Sequence, residues 1–312
     1  MPTPEQGDAE RAIASLNSEF LRQVAAAITA AGGGSLMNME VTPLGRGDVS
    51  LAYRVHAGQR DYFLKSHNAT LPFMFDAEAA ALTEIAATNT IRVPLPLCFG
   101  EADGRAYIVL EWLDLHPLDD ASGVRMGRSL AALHRHAAAE FGWQRDNSIG
   151  ATPQPNPGSS DWLDFWKVNR LGYQLKLAEE RGYAGQLQSL GQRLLEKCDG
   201  LFSGYAPVPS LLHGDLWIGN VGSDEAGTPV IFDPASYYGD READLAMTSL
   251  FSGFPESFAG AYEESWPVDE GYGLRRDFYN LYHLLNHLNL FGHGYLARTE
   301  STLRRLLASL ES

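Results

Sequence analysis

The chain has 312 residues, 45% of them apolar and 20% charged, and its 24 Lys and Arg against 39 Asp and Glu give a formal charge of −15. That length accommodates two lobes or domains, each with its own core, and the composition is that of a globular protein. So acidic a surface argues against nucleic acid or an anionic membrane as the main partner, since both are gripped by basic patches.

Residues 8–31 place Ile13, Leu16, Phe20 and Val24 at helical spacing and predict a leading helix, ended by Gly32-Gly33-Gly34. A β-rich stretch follows. Met39 to Leu44 is a strand, Gly45-Arg46-Gly47-Asp48 a turn, and Val49 to His56 and Tyr62 to Ser66 two strands joined by Ala57-Gly58-Gln59-Arg60. Residues 73–88, rich in Ala, Glu, Leu and Met, predict a helix. Strands around Leu97 to Phe99 and Ala106 to Trp112 complete an order of three strands, one helix and two strands. The composition changes near Trp112 to Asp120. Beyond it the patterns predict helices at 124–138, 162–181 and 185–202, a loop at 150–161, a short β-rich segment at 211–233, and helix over almost all of 241–312.

Cys98 and Cys198 stand in no metal-binding spacing, which fits free thiols in a reducing, cytoplasmic compartment. Met1 to Glu10 is polar and acidic and does not read as a signal peptide. No apolar run reaches the ~18 residues of a membrane span.

The chemistry concentrates in His213-Gly214-Asp215-Leu216-Trp217-Ile218-Gly219-Asn220. An Asp five residues before an Asn is the spacing of a kinase catalytic loop. Asp215 must stay ionised, reach an acceptor hydroxyl and take or orient its proton. The amide oxygen of Asn220 must reach a metal ion on the nucleotide phosphates. Val230-Ile231-Phe232-Asp233 is an apolar strand ending in an acid, aimed at the same metal. Two oxygen donors suit Mg²⁺, which keeps several waters and also binds phosphate. His-Gly-Asp alone is equally an ordinary turn; the Asn220 and Asp233 spacings are what turn it toward phosphoryl transfer.

The first half meets the same requirement. A kinase needs a lysine on its third strand for the phosphates of ATP and a glutamate on the next helix to orient it. Lys65 ends Tyr62-Phe63-Leu64-Lys65, and Glu78, with Glu84 as the alternative, lies in the following helix. Gly45 and Gly47 form a partial phosphate-covering loop, which a hairpin turn explains equally well. Glu111, Trp112 and Leu113 end the fifth strand, where a hinge would pair with adenine. Asp233 is followed within a few residues by Asp240-Arg241-Glu242-Ala243-Asp244, which opens a helix with acids near its start. That leaves little room for a peptide-docking segment and favours a small acceptor; Asp244 reads as a supporting or capping group. His283 and His287 lack the glutamate of a zinc-protease helix.

The chain resembles the fructosamine kinases, or ketosamine-3-kinases. The resemblance is carried by Leu211 to Asn220, Asp233 to Met247, Leu281 to Gly292, Phe63-Leu64-Lys65, Met74 to Glu78, and Ile149 to Asn156. It implies an α+β, protein-kinase-like bilobal fold: 1–113 as a small β-rich nucleotide-binding lobe with a leading helix, and 114–312 as a larger, mainly helical catalytic and acceptor-binding lobe. It implies ATP- and Mg²⁺-dependent phosphorylation of the sugar 3-hydroxyl of ketosamines, on proteins or free amines, linked to deglycation because the product falls apart. By position, Asp215 is the base, Asn220 and Asp233 the metal ligands, Lys65 and Glu78 the phosphate-orienting pair, and Glu111 to Leu113 the hinge. Trp217 is a platform for the sugar. Gly45 to Ser50 contains no cysteine, so the intermolecular disulfide that some members form in that loop has no thiol here, and a monomer or weak dimer is expected. A kinase for an aminoglycoside or amino alcohol, and a nucleotide-binding pseudokinase, are the competing expectations.

Overall fold

A computed structural model of the chain describes residues 16, 18–33, 39–46, 50–68 and 73–311. It forms two compact units, one within Met1–Ala87 and Val93–Asp114 and the other comprising Thr88–Arg92 and Leu115–Ser312.

The first unit is a five-stranded sheet with a helix on each face. Helix α1 (Ser18–Ala30) turns Phe20, Val24 and Ile28, one turn apart, to a single stripe. All three are fully buried against Tyr53, Val55, Leu64 and Val109 of the sheet. Each such side chain contributes about 1.5–3 kcal/mol on burial. Gly33 ends the segment because a Cβ there would lie 2.4 Å from Ile28, and its carbonyl accepts the Tyr62 hydroxyl at 2.7 Å. The part of the expected leading helix before Ser18, Leu16 apart, lies outside the described residues, as does Gly34.

Strands β1 (Met39–Arg46), β2 (Leu51–Ala57), β3 (Arg60–Asn68), β4 (Pro96–Ala102) and β5 (Arg105–Glu111) pair antiparallel in the order β1-β2-β3-β5-β4. Helix α2 (Phe73–Ala87) lies between β3 and β4 in the chain. Alternation along β3 sends Tyr62 and Leu64 to α1 and Lys65 to the other face, where Glu78 of α2 meets it.

The second unit opens with α3 (Asp120–His134). It starts and ends four residues earlier than the apolar pattern predicts, because Asp119 and Ser122 form a reciprocal capping box at its start. β6 (Asn147–Ile149) and β7 (Thr152–Gln154) make a small hairpin, so the Pro-rich stretch expected to be loop is partly strand. The helix expected over 162–181 is α4 (Trp162–Trp166) and α5 (Tyr173–Glu180), joined by a π-helical turn over Lys167–Gly172. Gly172 is required there, since a Cβ would stand 2.5 Å from the Lys167 carbonyl.

Helix α6 (Gln186–Lys197) follows, then the short strands β8 (Ser210–Leu211), β9 (Val221–Ser223), β10 (Pro229–Ile231) and β11 (Tyr238–Gly239). Helices α7 (Glu242–Leu250), α8 (Glu256–Ser265), α9 (Tyr272–Phe291) and α10 (Leu296–Leu310) complete the unit. Its core is aromatic: Trp162, Trp166, Phe278 and Tyr279 are all buried, and the Trp162 indole donates to the Tyr279 hydroxyl at 2.9 Å. Among the described residues no helix is long and apolar enough to cross a membrane.

Candidate active site

In the first unit Lys65 Nζ lies 2.8 Å from Glu78 Oε1, with both side chains about nine-tenths buried. Glu78, one of the two glutamates weighed from the sequence, accepts a hydrogen bond from Lys65 through its carboxylate. A lysine so placed is held as a fixed cation facing off the sheet. Gly45 sits at an irregularity in the β1–β2 register with φ +131, backbone that favours glycine. Gly47 lies outside the described residues, with Asp48 and Val49. Glu111 donates its backbone N–H to Leu95 at 2.9 Å, so this N–H is already committed within the unit. Trp112 donates its indole N–H to Asp114 and lies under the Arg54 guanidinium at 4.5 Å. Leu113 is half-buried in the segment beyond β5. Glu111 and Trp112 line a cavity of about 550 Å³ together with Tyr62, Leu95, Pro96 and Leu97.

In the second unit the loop from His213 to Asn220 folds on itself. Asn220 donates its amide N–H to the backbone oxygen of Asp215 at 2.9 Å and reaches its carboxylate at 3.4 Å. That engagement of the nitrogen turns Oδ1, the metal-competent atom, the other way. The backbone oxygen of Asn220 accepts from Phe232 N–H at 3.1 Å, which brings Asp233 beside it. Asp233 itself has φ +59, in the left-handed region that few non-glycine residues adopt. Oxygen donors from Asn220 and Asp233 on adjoining backbone are a set that fits Mg²⁺.

His213 couples the two loops. Its Nε2 donates to the Phe232 carbonyl at 2.9 Å and its Nδ1 accepts the Asp215 N–H at 3.3 Å. Burial pushes its pKa below the ordinary value, which keeps the neutral tautomer those bonds need. Gly214 has φ +85, and a Cβ there would meet the Ala235 carbonyl at 2.1 Å. Gly214→Ala is therefore expected to cost at least about 3 kcal/mol and most of the turnover, read by thermal melting and initial rates. A Gly214→Ala protein with wild-type melting and rate would disprove the close approach.

Asp244 holds this loop from below. Its carboxylate accepts the backbone N–H groups of His213 at 2.7 Å and Gly214 at 2.8 Å, and His134 Nε2 at 3.2 Å. Burial pushes its pKa up, but the bond and charge of His134, with His213 and the Gly214 N–H, outweigh this and hold it below the usual range. The sequence marked Asp244 only as supporting, and His134 not at all; a histidine at the end of a buried helix stripe carries no local signal of its partner. Trp217 folds back over the loop. A Cβ on Gly219 would lie 2.2 Å from its ring, and the Phe251 ring stands edge-on at 6.1 Å.

Comparison with known proteins decides the family. The fructosamine kinase family pattern matches residues 20–309. The chain belongs to the fructosamine kinase family. A Synechocystis protein named as a ketoamine kinase is 48% identical over 262 residues, 84% of this chain and 88% of that one. The chloroplastic protein-ribulosamine 3-kinase of Arabidopsis thaliana is 41% identical over 276 residues, 88% of this chain and 84% of the other. A crystal structure described as a fructosamine-3-kinase from Haemophilus somnus superposes with a TM-score of 0.85 at 29% identity, covering 93% of this chain and 98% of its own. An aminoglycoside phosphotransferase in ternary complex with ADP and hygromycin B reaches 0.63 at 16% identity, covering 90% of this chain and 96% of its own, a likeness of fold. This fructosamine kinase family member thus has a protein-kinase-like fold, with an antiparallel sheet in its N-terminal part and helices in its C-terminal part, and is an enzyme of the kinase class.

Proposed function

We propose that the chain transfers the γ-phosphoryl group of ATP to the sugar 3-hydroxyl of a ketosamine, attached to a protein or a free amine. The observation that carries this reading is the loop in which Asn220 grips Asp215 while its backbone holds Phe232, and so Asp233, in a chain 48% identical to a ketoamine kinase. Asp215 accepts the proton of the attacking hydroxyl as its oxygen bonds to phosphorus. The bond from phosphorus to the bridging oxygen breaks, and ADP leaves with that electron pair. Asn220 and Asp233 would hold Mg²⁺, which when bound neutralises phosphate charge. Lys65, aligned by Glu78, pairs with the phosphates. Glu111, Trp112 and Leu113 form the hinge for adenine, with the Glu111 N–H already committed to Leu95, and Gly45 and Gly47 cover the phosphates. Trp217 offers the half-exposed face of its ring to the sugar. We also propose that the 3-phosphorylated product decomposes and frees the amine, giving a deglycation role in the cytoplasm.

The test is a panel of a ribulosamine, a fructosamine, an aminoglycoside and an amino alcohol, each with ATP and Mg²⁺, followed by ADP release and by phosphorus NMR of the product. A ketosamine is expected to exceed the other classes by about 10⁴-fold in kcat/KM, as a site built to hydrogen-bond its own acceptor does. Faster turnover of the aminoglycoside or amino alcohol, or a phosphate on another hydroxyl, overturns the assignment.

A further inference from the structure

The segment Ile149 to Asn156 is one of those that carry the resemblance to the family, and its side chains, with Asn147 before it, run hydrogen bonds to the backbone after Asp233. Asn147, Gln154 and Asn156, carried by the β6–β7 hairpin and the residues after it, are all at least 97% buried. They form one hydrogen-bonded chain. Arg170, fully buried and placed by the π-helical turn, donates to Asn156 Oδ1 at 2.6 Å. Asn156 Nδ2 donates to Asn147 Oδ1 at 2.9 Å, and Gln154 Nε2 donates to the same oxygen at 2.8 Å. The chain ends on two backbone carbonyls: Asn147 Nδ2 reaches Ser236 at 2.8 Å, and Gln154 Nε2 reaches Ala235 at 3.0 Å. The Tyr282 hydroxyl donates to Gln154 Oε1 at 2.6 Å and so fixes which end of that amide faces the carbonyls.

The direction of the chain is forced. A guanidinium has only donors, so Asn156 must present its oxygen to Arg170 and its nitrogen to Asn147. Asn147 must then spend its oxygen on incoming donors, and only its nitrogen is left for Ser236. A cation at one end thus orders three amides toward the two carbonyls that follow Asp233-Pro234. Asp233 meanwhile keeps a left-handed backbone, φ +59, which survives only where its surroundings over-determine it. On the other side of Asp233, Phe232 is held at both its N–H and its carbonyl, by Asn220 and His213.

We propose that the Arg170–Asn156–Asn147–Gln154 chain is a positioning device for Asp233, clamping the backbone after it so that its carboxylate is set for the divalent cation. The inference rests on the metal role given to Asp233 above. These buried residues act through the Ala235 and Ser236 carbonyls.

The full chain carrying Gln154→Glu tests it. That change keeps the shape and the Tyr282 bond but turns a donor into an acceptor against the Ala235 carbonyl. Tyr282→Phe, which removes one hydroxyl and leaves the volume nearly unchanged, is the companion. Mn²⁺ binding in the presence of ADP is measured by electron paramagnetic resonance, and the Mg²⁺ concentration for half-maximal turnover is measured in parallel. Gln154→Glu is expected to weaken the cation about tenfold, and Tyr282→Phe by less in the same direction, as loss of an outer partner of a ligand does. Unchanged KM for the ketosamine accompanies both. Folded variants that keep wild-type Mn²⁺ affinity, or that lose turnover with no change in cation dependence, overturn the proposal. Should Gln154→Glu fail to fold, Tyr282→Phe decides alone. Wild-type protein that binds no Mn²⁺ with ADP defeats the functional reading itself, whereas wild-type binding with unaltered variants defeats only the clamp.

Discussion

Replacing Asp215 by alanine is expected to lower kcat by about 10³-fold, the middle of the range for a positioned general base. Nucleotide binding should be nearly unchanged. The reason lies in which atom of Asp215 its neighbour uses. Asn220 is held mainly by the backbone oxygen of Asp215, at 2.9 Å, and by the carboxylate only at 3.4 Å. Truncating the side chain therefore leaves Asn220 in place, and with it the cation site. Rapid-quench kinetics and calorimetric titration with ADP separate the two effects. A wild-type rate would end the assignment of Asp215 as base, and a parallel loss of ADP affinity would move it to the nucleotide.

Replacing Asp244 by alanine is expected to destabilise the protein by about 3–5 kcal/mol, the penalty for removing one partner from a buried charged network. Three donors lose their acceptor: the His213 and Gly214 N–H groups and His134 Nε2. In a unit of about 200 residues that lowers the melting temperature by about 10 °C. Turnover falls as well, because Asp215 is carried on the freed loop. Glu311, an exposed acid paired with Arg193 and Lys197, is the control, and its removal should leave the melting temperature essentially unchanged. The pH dependence has a definite sign. The folded pKa of Asp244 lies below its ordinary value, so its contribution is present above about pH 4 and is lost as pH falls through the lower folded value. An Asp244→Ala protein that melts with wild type would show that the loop is held by other means.

Local pattern disclosed most of the elements. The three-strand, one-helix, two-strand order of the first unit follows from alternation and composition, because each strand writes its buried face into its own residues. Boundaries slipped where a cap outweighed periodicity. The Asp119–Ser122 box starts α3 four residues before its apolar stripe does. The Pro-rich stretch after Asn147 hides a hairpin because its strands are only three residues long and their buried side chains are polar. The π-turn over Lys167–Gly172 is invisible to a helical period, since it adds a residue to the turn without interrupting helical composition.

By itself the sequence determined the family and the candidate residues: Asp215, Asn220 and Asp233 at catalytic-loop spacing, and a strand-borne Lys65 followed by a helix with acids. Those are statements about residues fewer than 20 positions apart, where local pattern and spacing carry the signal. Tertiary structure decided the partnerships. It joined Lys65 to Glu78, set His134 under Asp244 across 110 residues, and aimed Gln154 at Ala235 across 81. A buried polar group must find its partner wherever the fold brings one, and the sequence around it has no need to say which.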